Sequence, residues 1–243
     1  GVCLGTAGAG STLAINRLES MLRSLLPSAF FLVTNDALPA LYGGTLTGRG
    51  IILISGTGSI CLARNEKGKV FRTGGWGHII GDEGSGYAVG IAVLRAVMKA
   101  YDGRIPQTIL TKLLLERLKL HSPEGIIDYV YHSEKGKSDF AALAQVCDIA
   151  YNKNDQTAVR IYSDAAGELC DLITAAAKGA EFERAQLINC VFSGGMITKS
   201  DGLRREIEHK LTKNAPDIIV MRCFEDAAYG SALMALEQLQ RKE

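Results

Sequence analysis

Two short glycine-rich stretches constrain the fold of this 243-residue sequence more than any other feature. The first, residues 56–59, reads Gly-Thr-Gly-Ser and separates apolar runs at residues 51–54 and 60–63. Because a short glycine turn between two apolar runs is typical of a β-hairpin, we predict a hairpin here. The backbone N–H groups of such a turn can point outward together and hold a phosphate or sugar oxygen. Thr57 and Ser59 add hydroxyl groups.

The second stretch, residues 74–86, contains six glycines, two carboxylates and the single tryptophan of the chain. A packed core has little use for this composition. The alternatives are a flexible linker for this stretch and an ordinary turn for residues 56–59. Linkers are poor in tryptophan and isoleucine, whereas this stretch contains Trp76, Ile79 and Ile80. We therefore interpret the two stretches together as a system of ligand-binding loops.

Charge and cysteine usage limit the class of protein. With 27 basic and 26 acidic residues, no net charge attracts nucleic acid or an anionic membrane. No apolar run approaches the roughly 20 residues that span a bilayer. The six cysteines form no Cys-x-x-Cys pair, so we predict buried free thiols and no zinc or iron-sulfur cluster. These observations predict a cytoplasmic protein with small-molecule partners.

The order of apolar patterns predicts an α/β fold with a helical insertion. Strands are predicted at residues 2–4, 30–34, 69–72, 187–192 and 218–221, in addition to the hairpin. Helices are predicted at residues 13–26, 37–42, 85–101, 203–211 and 227–239, and residues 106–178 are almost wholly helical, with breaks near 121–123, 134–137 and 152–155. The continuous apolar run at 30–34 predicts a strand covered on both faces.

Two further strand ends carry candidate functional residues. The strand at 30–34 leads to Asn35 and Asp36, and polar residues at such carboxyl ends line the ligand crevice of α/β sheets. Asp36 could equally cap the following helix, a role compatible with facing a crevice. The strand at 187–192 leads to Ser193, Gly194 and Gly195, where glycine permits the close backbone approach that an adenosine moiety needs, or merely a tight turn.

Three of these sequence motifs resemble those of a known protein family. Residues 54–59 (Ile-Ser-Gly-Thr-Gly-Ser), 74–78 (Gly-Gly-Trp-Gly-His) and 81–87 (Gly-Asp-Glu-Gly-Ser-Gly-Tyr) resemble the N-acetylglucosamine kinase branch of the BadF/BadG/BcrA/BcrD ATPase family. This family belongs to the actin/hexokinase/Hsp70-like superfamily, and the resemblance extends from residues 6–10 to 229–233. It implies two ribonuclease-H-like domains that close over a cleft, one formed by residues 1–47 and 226–243 and the other by residues 48–225, with the helical insertion at about 104–178.

The resemblance also implies an activity, the transfer of the γ-phosphate of ATP to the 6-hydroxyl of N-acetylglucosamine or a related amino sugar, with Mg²⁺. It implies that Asp36 is the general base. The positions that match sugar-binding residues are Asn35, Thr57, Gly75, Trp76 and Asp82. The positions that match nucleotide-binding residues are Gly56, Thr57, Gly58, Ser59, Ser193, Gly194 and Gly195. No residue matches a metal ligand, and kinases of this type often form homodimers.

Two departures from the family pattern bear on this interpretation. The family begins with an Asp-Gly-Gly-Gly-Thr-like first phosphate loop, which this sequence lacks, so we expect a longer natural protein and poor phosphorylation by these 243 residues alone. Ile60 stands where mammalian-type members carry a sugar-binding asparagine. N-acetylglucosamine, glucosamine, N-acetylmuramic acid and glucose therefore all remain candidate substrates. The rival functions are an ATPase that drives conformational change, as in other branches of the family, and a catalytically silent sugar-binding regulator.

Overall fold

The computed structural model describes residues 1–9, 11–132, 134–183 and 186–240, so Gly10, one of the residues 6–10 at which the family resemblance begins, lies outside the described residues. The described strands are β1 (Val2–Gly5), β2 (Phe31–Thr34), β3 (Gly50–Ser55), β4 (Ser59–Arg64), β5 (Val70–Gly74), β6 (Ile188–Ser193) and β7 (Ile218–Met221). The described helices are α1 (Thr12–Leu25), α2 (Ala37–Thr45), α3 (Gly86–Tyr101), α4 (Ile109–Leu118), α5 (Gly125–Tyr131), α6 (Lys137–Ala141), α7 (Ala144–Asn152), α8 (Gln156–Ala180), α9 (Gly195–Lys199), α10 (Asp201–Asn214) and α11 (Ala227–Gln240). The fold is α/β, as predicted.

The five-stranded sheet has the order β5-β4-β3-β6-β7 and positions the glycine turns. β3 and β4 are antiparallel, with Ser55 opposite Ser59, which confirms the predicted hairpin. β3, β6 and β7 are parallel, so their carboxyl ends lie at the same edge of the sheet. The turn that follows Ser55 and the turn that follows Ser193 are therefore neighbours, although about 140 residues separate them along the chain.

Side chains alternate between the two faces of this sheet, as the period of two residues in a strand requires. Ile52, Leu62 and Val191 face α2 and form a small core with Leu41. Ile51, Leu53, Cys61 and Cys190 face the opposite way, into the large core that α3, α7, α8 and α10 complete. Burial of each aliphatic side chain contributes roughly 1.5–3 kcal/mol. The sheet is therefore covered on both faces and holds the edge that carries the turns.

The other described sheet consists of β1 and β2, which run parallel with Val2 opposite Phe31 and Gly5 opposite Thr34. The prediction that the strand at 30–34 is covered on both faces is wrong, because in β2 only Val33 is buried. Two paired strands offer few neighbours, and α1, which packs on β2, contributes no buried residue of its own. The apolar run therefore lies at a half-covered surface.

The helical middle of the chain follows the predicted breaks, and side chains cap the starts of α4 and α8. Asp155 Oδ1 accepts hydrogen bonds from the N–H groups of Thr157 and Ala158, each at 3.0 Å, and so caps the long helix α8. The hydroxyl of Thr108, the cap of α4, donates to the same carboxylate at 2.8 Å. A single aspartate thus joins the starts of two helices.

Helix α11 returns to the first part of the chain and packs on α2 and β1. Gly230 makes this close approach possible, because a Cβ at this position would lie 1.9 Å from the Pro39 carbonyl oxygen. The division into domains at residues 47/48 and 225/226 stays a prediction. Within the described residues, no helix has both the length and the apolar character needed to cross a bilayer.

All six cysteines carry free thiols. Cys61, Cys147, Cys170 and Cys190 are buried, and Cys3 and Cys223 are half-buried. Burial raises the pKa of every one of these thiols above its ordinary value, and that of Cys170 to about 11.

Candidate functional site

Hydrogen bonds to the second glycine-rich stretch, residues 74–86, fix the hairpin turn at residues 56–59. Gly56 donates its N–H to the Gly58 carbonyl at 2.9 Å, which closes the turn. The Gly56 carbonyl accepts a bond of 2.8 Å from the N–H of Gly86, the first residue of α3. The Ser59 hydroxyl donates to the Glu83 carbonyl at 2.6 Å. The turn is thus fixed before any ligand binds, while the Thr57 side chain remains exposed.

Asp82 lies directly behind this turn and is 4% exposed. Its Oδ1 accepts the backbone N–H of Ser59 at 3.2 Å, and its Oδ2 accepts Lys137 Nζ at 2.6 Å. Its backbone φ is +60°, a left-handed conformation that aspartate tolerates better than most residues. A Cβ added to Gly58 would lie 2.9 Å from the carboxylate. The glycine therefore leaves room for the Asp82 and Lys137 side chains against the turn.

The turn after β6 touches the hairpin turn. Gly194 has φ +92°, and a Cβ there would lie 2.5 Å from the Ser55 carbonyl oxygen. Gly195, by contrast, faces open space, with no atom within 4 Å of its Cβ position. The predicted turn after β6 is shorter than expected, because the short helix α9 already begins at Gly195.

The two turns form one wall of a cavity of about 580 Å³. The rest of the lining comes from the start of α3, from α6 and α7, and from α8 and α9. Among these lining residues, the Ser200 hydroxyl donates to Asp148 Oδ1 at 2.6 Å, and the Tyr162 hydroxyl donates to the same oxygen at 3.2 Å. Burial raises the pKa of Tyr162 well above its ordinary value, so this hydroxyl stays protonated. The cavity combines backbone turns, small residues and one fixed carboxylate.

Gly75 and Trp76 form the next part of the loop. Gly75 has φ +70°, and a Cβ there would lie 2.9 Å from the Ile60 side chain. The Arg72 guanidinium lies 4.3 Å from the centre of the Trp76 ring and donates to the Gly75 carbonyl at 3.2 Å. The Trp76 side chain is nevertheless 63% exposed. Large exposed aromatic groups on a braced loop are typical of a ligand-binding surface.

Asn35 and Asp36 lie at the carboxyl end of β2, where α2 begins. Asn35 Oδ1 accepts the N–H groups of Ala37 and Leu38, each at 3.0 Å, so Asn35 caps this helix. The alternative role of Asp36 as the cap is wrong, because its side chain makes no capping hydrogen bond. Asp36 is exposed, and its carboxylate is free to face a ligand.

The structure thus brings together residues 56–59, Asp82 and residues 193–195, with Gly75 and Trp76 alongside. Asn35 and Asp36 follow β2 of the other sheet, and the helix after them, α2, packs on β3, β4 and β6 of the five-stranded sheet. Sequence reasoning missed Lys137, Asp148, Tyr162 and Ser200. No local pattern marks them, because they come from helical segments far from the turns along the chain.

The chain matches known proteins over almost its entire length. The family model described as BadF/BadG/BcrA/BcrD ATPase family matches residues 1–235. An N-acetylmuramic acid/N-acetylglucosamine kinase of Clostridium acetobutylicum is 41% identical over 234 residues, which are 96% of this chain and 76% of the relative. An N-acetyl-D-glucosamine kinase of Dictyostelium discoideum is 34% identical over 97% of this chain and 75% of the relative. The solved structure of a candidate N-acetylglucosamine kinase from Chromobacterium violaceum shares the fold with a TM-score of 0.72 at 24% identity, over 97% of this chain and 75% of the other.

Proposed function

The chain belongs to the BadF/BadG/BcrA/BcrD ATPase family, and on that premise we propose that it transfers the γ-phosphate of ATP to the 6-hydroxyl of an N-acetylated amino sugar. The kinase activity is supported by two relatives at 41% and 34% identity whose names state it. The same names favour N-acetylglucosamine and N-acetylmuramic acid among the candidate sugars.

The observation that carries this proposal is the meeting of the two glycine turns at one cavity. Gly56 and Thr57 of one turn and Gly195 of the other line this cavity, and no atom lies within 4 Å of the Cβ position of Gly195. The volume of about 580 Å³ falls within the usual range of small-molecule sites. We assign the cavity to the adenosine part of ATP and the turn at residues 56–59 to its phosphates. The N–H groups of Thr57 and Gly58 would bind them, because those of Gly56 and Ser59 already donate within the protein.

The sugar is assigned to the side of the turn that carries Trp76. A pyranose ring presents apolar C–H faces that pack on an aromatic ring, and Trp76 is exposed enough to offer such a surface. Thr57 is also exposed, and we assign it contacts to both the sugar and the phosphates, as the family resemblance implies. Ile60 cannot form a hydrogen bond, so substrate choice rests on the other contacts at this end.

In the proposed reaction, the Asp36 carboxylate accepts the proton of the sugar 6-hydroxyl as its oxygen attacks the γ-phosphorus. The bond from this phosphorus to the oxygen bridging the β- and γ-phosphates breaks, and ADP leaves with the electron pair. A carboxylate is sufficient because the transition state is loose, so that orientation matters more than base strength. Two features of Asp36 support this role: it is exposed, and its side chain makes no capping hydrogen bond to α2.

Mg²⁺ would neutralise charge on the phosphate oxygens during this transfer. In the described part of the chain, no group of three or more His, Cys, Asp or Glu side chains is arranged to hold a metal ion. In kinases Mg²⁺ is commonly bound through substrate phosphates and water, with only one or two carboxylates.

The proposal is tested by ADP release from the intact protein with Mg-ATP and a panel of sugars: N-acetylglucosamine, N-acetylmuramic acid, glucosamine and glucose. We expect release that depends on an N-acetylated sugar, and a product whose phosphorus couples to the C6 protons in nuclear magnetic resonance. Release at the same rate without sugar would contradict the proposal and favour an ATPase that drives conformational change.

A further inference from the structure

Lys137 places a positive charge against the turn at residues 56–59. Its Nζ lies 2.6 Å from Asp82 Oδ2, and a Cβ added to Gly58 would lie 3.0 Å from the same nitrogen. The Lys137 side chain is 30% exposed, whereas that of Asp82 is 5% exposed. Of the two partners, Lys137 is therefore the more accessible to a ligand at the turn.

The helix that begins with Lys137 is held firmly in place. α6 packs on α3 so closely that a Cβ on Gly90 would lie 1.9 Å from the Phe140 carbonyl oxygen. The rings of Tyr87 and Phe140 also meet edge to face, with centroids 6.0 Å apart. Ser138, the next residue along α6, lines the same cavity as the hairpin turn. The packing of α6 therefore fixes the backbone of Lys137, and the ion pair with Asp82 holds its ammonium beside Gly58.

The charges at this point explain why a cation is needed. The Ser59 N–H, part of the proposed phosphate turn, already donates to Asp82. An uncompensated carboxylate there would repel the negatively charged phosphates of ATP, and Lys137 cancels that charge. A lysine ammonium carries three donors, so bonding to Asp82 leaves two for other acceptors.

We propose that Lys137 is a phosphate-contacting residue, an inference that rests on the proposed function. Its ammonium pairs with Asp82 in the free protein and donates to an oxygen of the γ-phosphate when ATP is bound. It stabilises the charge on the phosphoryl oxygens as the sugar oxygen bonds to phosphorus and ADP departs. Lys137 keeps its own proton throughout, because Asp36 takes the proton of the sugar.

The direct test is the binding of a non-hydrolysable ATP analogue with Mg²⁺, compared with adenosine, by isothermal titration calorimetry. We expect Lys137→Met to weaken binding of the analogue about 10- to 100-fold, because one charge-assisted hydrogen bond is lost. The affinity for adenosine should change less than about twofold. Lys137→Arg should restore most of the affinity. Lys135→Met is the matched control, since Lys135 lies over the Tyr129 ring, 5.4 Å from its centre, and should bind the analogue as the wild type does.

A second comparison separates phosphate contact from the mere neutralisation of Asp82. In an Asp82→Asn background no carboxylate charge remains to be cancelled, so a lysine that only neutralises would lose its effect. We expect Lys137→Met still to weaken the analogue there by about tenfold or more. Equal affinity of Asp82→Asn and the double variant would overturn the proposal.

Kinetics of the same variants give an independent outcome. We expect Lys137→Met to lower kcat about 100-fold while the KM for the sugar changes less than about threefold. A raised sugar KM with unchanged kcat and unchanged analogue affinity would assign Lys137 to the sugar side and overturn the proposal. If the wild type showed no sugar-dependent ADP release, the proposed function would fail while the calorimetric result still decided the role of Lys137. Unfolding midpoints identify any variant that does not fold, and Lys137→Gln then replaces Lys137→Met.

Discussion

The backbone N–H of Ser59 donates to Oδ1 of Asp82 over 3.2 Å, and this bond ties the hairpin turn to the glycine-rich loop 23 residues later. Both residues are buried, so neither partner can turn to water instead. Loss of the acceptor would leave a buried N–H group unsatisfied, which costs about 1–3 kcal/mol.

Asp82→Ala should therefore lower the free energy of unfolding by about 2–4 kcal/mol, because the variant loses this acceptor, the Lys137 partner and the tolerance of aspartate for a positive φ. Asp82→Asn keeps an oxygen that can accept the Ser59 N–H and should cost less than half as much. Urea titrations of both variants measure the difference. Equal losses would show that the hydrogen bond to Ser59 contributes little.

Gly194 is the second position where the site depends on a special backbone geometry. Gly194→Ala requires an alanine at φ +92° with its Cβ 2.5 Å from the Ser55 carbonyl oxygen, so we expect a loss of about 2 kcal/mol or more. Gly195→Ala is the matched control, since open space surrounds its Cβ position. In chemical denaturation, the free energy of unfolding of the control should lie within about 0.5 kcal/mol of that of the wild type. A Gly194→Ala variant as stable as the control would contradict the described contact between the two turns.

Local features of the site were predictable from the sequence because each depends on neighbouring residues. The hairpin follows from two apolar runs around Gly-Thr-Gly-Ser, and helix α3 follows from the helical spacing of its apolar residues. Helix α9 was missed because five residues are too few to show a helical period. Capping of α2 by Asp36 was the alternative to its catalytic role, whereas the side chain that accepts the N–H groups of Ala37 and Leu38 is that of Asn35, one residue earlier.

Contacts between distant segments were not predictable. Asp82 and Lys137 are 55 residues apart, and the contact forms only because α6 packs on α3. The same holds for Asp148, Tyr162 and Ser200, which three different parts of the chain bring to one hydrogen-bonded cluster. The half-covered state of β2 also depends on its neighbours and not on its apolar composition.

Trp76 should affect ligand binding more than stability. The ring is 63% exposed and stacks on Arg72, an interaction that contributes about 0.5–1 kcal/mol at exposed sites. Trp76→Ala should therefore lower the free energy of unfolding by no more than about 1 kcal/mol, and raise the KM for the sugar about tenfold or more. Ile79→Ala, on the same loop at 85% exposure, should change neither quantity. An unchanged sugar KM in Trp76→Ala would remove Trp76 from the proposed sugar site.

Because its thiols are buried, the folded protein should become less stable as the pH rises into the alkaline range. The pKa of Cys170 is raised to about 11 by burial, above the value of about 8.5 in an unfolded chain. Between these values the unfolded chain releases a proton that the folded protein keeps, so the free energy of unfolding falls as pH rises. The slope attributable to Cys170 is at most ~1.4 kcal/mol per pH unit. Denaturation at pH 8 and pH 10 should show a smaller fall for Cys170→Ala than for the wild type, and an equal fall would contradict this account.

The central claim, that Asp36 is the base of a sugar kinase, is tested most directly by sugar-dependent ADP release from Asp36→Asn. A general base accelerates a reaction about 10²- to 10⁴-fold. We therefore predict that kcat falls by a factor of that size, while the KM for the sugar stays nearly unchanged. Asp201→Asn, which alters an exposed aspartate in the first turn of α10, is the matched control and should retain wild-type turnover. Wild-type turnover by a folded Asp36→Asn protein would contradict the claim.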